Sequence, residues 1–185
     1  MNNIIFKLKS SNLFQMYYIG FMKKILFSFF CMSILLSCNN KIGYEQNLEH
    51  FQHLIKDINT YFIDSTQHTL EISDYYTDNF IFYSYPAGYK KGIETNKSDY
   101  IQNLNQMKQL NMSLNIGHSI YLPGMDEKSY KLDGSVRVYY GASISIDTTN
   151  VEFSGYQTVD FENGKISAIW EWADYGGVSN QLNNF

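Results

Sequence analysis

The sequence has 185 residues, with 14 basic and 18 acidic side chains, four histidines, two cysteines and two prolines; 44% of it is hydrophobic and 17% charged. These proportions exclude a disordered tail, a collagen-like chain and a disulfide-stapled mini-protein, and they leave room for one domain with a buried core. A net charge of −4 argues against nucleic acid, whose binding needs a basic footprint, while 17% aromatic residues suit a β-rich domain with an aromatic interior or pocket.

Residues 1–37 read as a leader rather than as part of the fold. Residues 25–36, ILFSFFCMSILL, are too few to span a bilayer as a helix, which takes about 20 apolar residues. They match the apolar region of a secretory signal, with Lys23 and Lys24 as its basic flank. Met22 stands at the head of that signal, so it is the expected start, with a long basic flank over residues 1–21 as the alternative. The run closes on Leu35-Leu36-Ser37-Cys38, which resembles the lipobox of bacterial lipoproteins. That resemblance implies cleavage before Cys38, acylation of its sulfur and a lipid-anchored place in the bacterial cell envelope. Residues 38–43 are then a short tether. Removing the leader takes away four lysines and no acid, which leaves 10 basic and 18 acidic groups. A body so acidic is repelled by anionic lipid, so acyl chains would hold it there. Cys31 and Cys38 are both used by this reading, which leaves no disulfide, thiolate metal site or cysteine nucleophile for the body.

The body begins with helices. Leu48, Phe51, Leu54, Ile55, Ile58, Tyr61 and Phe62 recur at steps of three and four, which predicts a long helix over 44–62. A shorter helix is expected over 66–76, with Ser65 as its cap. Residues 79–85, NFIFYSY, predict a strand closed by Pro86. A loop follows, then a third helix over 97–110, capped by Asn96 with Asp99 in its first turn. The remainder alternates as strands. Met112, Leu114, Ile116, His118 and Ile120 share one face; so do Val136, Val138, Tyr140, Ala142, Ile144 and Ile146. Asn163-Gly164 predicts a tight hairpin between strands 150–162 and 165–173.

This order of elements, with "YYTDNFIFYSY" at residues 75–85 and "VDFENGKISAIWEWAD" at 159–174, resembles the NTF2-like, or SnoaL-like, domain. The resemblance covers about residues 44–182. It implies an α+β fold, three N-terminal helices held in a strongly curved, mostly antiparallel sheet that forms a cone around an apolar pocket. The family spans isomerases, cyclases, dehydratases, epoxide hydrolases and non-catalytic binders, so fold alone leaves function open.

Two residues are candidates for acid–base work. His118 lies on an apolar face by parity, where it can act as a general base or sit as a hydrogen-bonded core histidine. Asp174 shares parity with Ile166, Ala168, Trp170 and Trp172, so it is read as inward-facing, with a strand-end cap over Gly176-Gly177 as the alternative. The resemblance implies an Asp in the late strands as acid/base, and Asp174 is the candidate. Glu171 has the opposite parity and is expected outside or at a dimer face. Tyr83, Tyr85, Tyr140, Tyr156, Trp170 and Trp172 are the candidate ligand-binding residues, and Tyr139 is a further phenol donor or packing group. Arg137 stands alone among 13 lysines on a polar face, where it can pair across a dimer interface or simply be solvated. His50 and His53 are read as a solvated helix face, and no metal or cofactor motif is present. The expected function is an envelope lipoprotein that binds a small apolar molecule. A cofactor-independent isomerase, cyclase or dehydratase and a homodimeric or partner-docking module are the alternatives.

Overall fold

The computed structural model describes residues 43–183 except 87 and 89, so the leader, Met22, Cys31, Cys38 and nearly all of the tether lie outside the described residues. Helix α1 is Tyr44–Ile63 and turns the predicted stripe inward, with Phe51, Leu54, Ile58 and Tyr61 all at most 2% exposed. Burying side chains of this size contributes about 1.5–3 kcal/mol each. The helix ends where Asp64 goes extended. Its last carbonyls do not stay bare: the Lys108 ammonium donates to the carbonyls of Tyr61, Asp64 and Gln67 and lies 4.2 Å from the Tyr61 ring centre.

The expected helix over 66–76 does not form; that stretch holds only a 3-10 turn at Ser73–Tyr75. Asp64 accepts both the backbone N–H and the hydroxyl of Thr66, a turn that competes with helix. Beyond it Leu70 and Ile72 are buried while Glu71 and Ser73 are exposed, the period of extended chain. Strand β1 is Tyr76–Ser84, and a short β2 at Ile93–Asn96 occupies what the sequence reads as loop. Helix α2, Lys97–Gln109, starts as predicted: the Asn96 side chain accepts from the Asp99 N–H and donates to its carboxylate. Strands β3 (Met112–Met125), β4 (Leu132–Ile146), β5 (Thr149–Glu162) and β6 (Lys165–Ala173) follow, and helix α3, Tyr175–Asn183, closes the described chain. The third α-helix is thus C-terminal. Gly176 and Gly177 hid it in the sequence, since glycine is a poor helix former.

One six-stranded sheet runs β2-β1-β6-β5-β4-β3, antiparallel except for β1 beside β6. Asn163 and Gly164 both take positive φ, 52° and 79°, as a two-residue hairpin turn requires. The α+β architecture agrees with expectation: a curved, unclosed sheet with helices packed on one face.

Two β-bulges decide what that face presents. Ile116 pairs with Ala142 but Ser119 pairs with Tyr140, so Gly117 and His118 together stand opposite Gly141. Phe161 pairs with Ile166 but Asp160 pairs with Ala168, so Ser167 has no partner. Each bulge inserts one residue and moves every later side chain to the other face. The first bulge is held from the helix side. Asn59 of α1 accepts from the Ile116 N–H and donates to the Ile116 carbonyl, both at 2.8 Å, and so acts as a piece of neighbouring strand at the sheet edge.

Candidate functional site

Between the helices and the inner face of the sheet lies a cavity of about 320 Å³. α1 and α2 line one side with Phe51, Ile55, Leu104 and Met107, the sheet lines the other, and Val178 and Leu182 of α3 meet it at the C-terminal end. Apolar side chains make up most of the wall. Among the described residues that line it, Glu171 is the one carboxylate, and no lysine, arginine or histidine lines it.

The bulge at Ser167 explains the position of Glu171. Beyond it, Ile169 and Glu171 face inward, 1% and 3% exposed, while Trp172 faces out at 43%. The carboxylate is met by three neutral donors. Oε1 accepts from the Tyr140 hydroxyl at 2.7 Å and the Gln157 amide at 2.5 Å; Oε2 accepts from the Tyr175 hydroxyl at 2.8 Å. The ring of Tyr175 sits at the rim, 37% exposed, with its hydroxyl turned in. Burial raises the pKa of the Tyr140, Tyr175 and Tyr100 hydroxyls, and the charge of Glu171 raises all three further. All three therefore stay protonated at any physiological pH, and Tyr140 and Tyr175 act as donors to the carboxylate.

Gly155 makes the Tyr140 contact possible. It pairs with Tyr140 across β4 and β5, and a Cβ at position 155 would stand 2.4 Å from the Tyr140 hydroxyl oxygen.

The structure does not bring the predicted acid–base pair together. His118 is exposed at the β3 bulge, in a shallow depression with Glu152 and Ser143 on the other side of the sheet. Parity placed it inward because the bulge at 117–118 was not visible. Asp174 is exposed and caps α3: its Oδ1 accepts from the Gly177 N–H at 2.8 Å. Gly177 is needed there, since a Cβ would come within 2.4 Å of Asp174 Oδ2. Glu171, expected outside, is the buried one. The inversion of Asp174 and Glu171 has one cause, the extra residue Ser167.

Of the six aromatic candidates, Tyr140 lines the cavity. The other five stand on the outer face of the sheet. Tyr83 stacks on Trp170 with ring centres 5.3 Å apart, Tyr85 stacks on Trp172 at 4.6 Å, and Tyr156 lies 5.7 Å from Trp172. Tyr139 extends that row at 4.7 Å from Tyr156 and is 53% exposed. Arg137 is half-buried on the same face, where its charge opposes the rise in the Asp160 pKa caused by burial and Asp133. His53 is exposed as expected. His50 is half-buried instead, its Nε2 3.2 Å from the Tyr75 carbonyl oxygen, because Tyr75 of the 3-10 turn and Phe161 of β5 pack against its ring. Among the described residues no three His, Cys, Asp or Glu side chains gather as a metal site would require. None of their helices is long and apolar enough to cross a membrane.

No family model and no curated protein matches the sequence. Solved structures do match in fold. An NTF2-like protein from Anabaena variabilis is 12% identical and superposes with a TM-score of 0.50 over 69% of this chain and 89% of its own. An LEH-like epoxide hydrolase from M. tuberculosis is 11% identical, with a TM-score of 0.50 over 75% and 93%. A protein from a soil-derived mobile gene cassette is 11% identical, with a TM-score of 0.51 over 75% and 95%. The chain therefore has the NTF2-like α+β fold.

Proposed function

We propose that this chain is a cell-envelope lipoprotein, held to a membrane by acyl groups on Cys38, whose cavity binds a small, mainly apolar molecule. The observation that carries the binding reading is the cavity of about 320 Å³, apolar over most of its wall, with the Glu171 carboxylate held among hydroxyl and amide donors. Ligand sites commonly combine an apolar lining with a few polar groups that orient the ligand. The anchoring part is supported by the order of basic pair, apolar run and Leu-Leu-Ser-Cys.

The test is a titration with N-phenyl-1-naphthylamine, a neutral apolar dye that brightens when it leaves water. Saturable one-to-one binding is expected. Met107→Trp, which fills the wall from α2, should weaken it tenfold or more at unchanged far-UV circular dichroism. Absence of saturable binding, or binding indifferent to Met107→Trp, would overturn the reading.

A second reading is cofactor-independent acid–base catalysis with Glu171, not Asp174, as the base. The similarity to an epoxide hydrolase and the tyrosine donors around a buried carboxylate support it. The outer row of rings, in which Trp172 is about half exposed, with Ile120 about half exposed beside it, favours a homodimer through that face as a further role.

A further inference from the structure

Glu171 is 3% exposed, and its neighbours donate hydrogen bonds without cancelling its charge. Lys97 pairs with Asp78 at the surface, and among the described residues no cationic side chain is paired with Glu171. A buried charge is ordinarily paired or bound to a cation, because neutral donors return only part of the lost hydration.

Resting on the reading of this cavity as a binding site, we propose that its ligand is an organic cation: an apolar body bearing a protonated or quaternary amine that seats against Glu171.

Two features of the cavity and the charge of the protein favour this class. A carboxylate offers about four acceptor positions. Oε1 uses two and Oε2 one, so the side of Oε2 near Tyr175 keeps a place for an incoming positive group. The rings of Tyr140, Phe153 and Tyr175 form a connected group beside the carboxylate, with Phe153 5.6 Å from Tyr175 and 6.4 Å from Tyr140. Ring faces attract cations, most strongly where water is excluded. The net charge of −4 also draws cations toward the protein.

The same features disfavour other classes. An anion would meet Glu171 with no positive group in the wall. A ligand carbonyl near Glu171 would find the Tyr140 and Tyr175 hydroxyls and the Gln157 amide already donating to the carboxylate, leaving it only neutral donors elsewhere in the wall, such as Asn103 and Ser119. A hard divalent ion takes six or more oxygen ligands, whereas this mainly apolar wall offers one carboxylate, which already accepts three hydrogen bonds.

The experiment is displacement of N-phenyl-1-naphthylamine from the full chain by benzyltrimethylammonium and, separately, by neopentylbenzene, its neutral carbon counterpart of the same shape. The cation is expected to displace the dye at a concentration at least tenfold lower. Glu171→Gln should abolish that preference, read as the ratio of the two displacing concentrations within the variant itself. The wild-type comparison stands by itself if the variant does not fold. Equal or better displacement by neopentylbenzene would overturn the cation assignment and leave the apolar binding site standing. Failure of the dye to bind at all would remove both.

Discussion

Deletion of Ser167 is expected to destroy cooperative folding, or to leave a protein destabilised by about 4 kcal/mol or more. The residue has no partner on β5, yet it sets the facing of everything after it. Without it Ile169 and Glu171 would turn outward and Trp170 and Trp172 would turn into a cavity wall shaped for smaller groups. Two large rings forced inward, together with the loss of Ile169 from the core, exceed the cost of any single packing change. Tyr140, Tyr175 and Gln157 would also lose their common acceptor, leaving buried donors unsatisfied. Small domains have only about 5–15 kcal/mol of stability in total. Urea unfolding followed by near-UV circular dichroism measures the effect. A deletion variant with a midpoint close to wild type would show that the bulge does not determine facing. Replacing Ser167 by alanine, which keeps the extra residue, should change little.

Gly155→Ala should cost about 2–4 kcal/mol, although alanine is ordinarily better than glycine in a strand. Backbone conformation is not the reason, since Gly155 is not among the glycines with positive φ. The reason is the Tyr140 phenol lying over it, with ring carbons and the hydroxyl oxygen 2.4–2.7 Å from where the new methyl would stand. The ring must move, and movement breaks its 2.7 Å bond to Glu171. A hydrogen bond to a charged partner is worth about 1.5–3 kcal/mol. A double-mutant cycle with Tyr140→Leu isolates the contact. The double variant should lose clearly less stability than the two single variants together; strict additivity would refute this packing.

The two variants bear on what the sequence can and cannot reveal. The stripe of α1, the Asn96 cap, the Asn163-Gly164 hairpin and the alternation of β4 are local signals, and each appears where it was expected. The order of elements, with the motifs of β1 and β6, was enough to indicate the fold. The site was not legible, and the cause is specific. By alternation alone β6 has one apolar face, Ile166, Ala168, Trp170 and Trp172, and one mixed face, Lys165, Ser167, Ile169, Glu171 and Ala173, so unbroken parity points the wrong set inward. A single unpaired residue then chooses between them, and serine carries no bulge signature. The same slip at Gly117-His118 moved His118 out and brought Ser119 and Tyr121 to the cavity. The false helix at 66–76 arose from an apolar spacing that fits an extended segment as well, once Asp64 diverts the chain. Tyr175 and Gln157 acquire meaning only from Glu171, so neither could be singled out before its facing was known.

The central claim is that Glu171 faces the cavity while Trp172 and Asp174 face water. It is tested most directly by thiol labelling of the full chain with Cys31 and Cys38 replaced by serine, carrying Glu171→Cys, Trp172→Cys or Asp174→Cys one at a time. Under native conditions a buried thiol reacts only through opening of the structure. The thiol at 171 is predicted to label about a hundredfold more slowly than those at 172 and 174. Rapid labelling at 171 with protection at 172 and 174 would show unbroken alternation along β6, and would contradict the account.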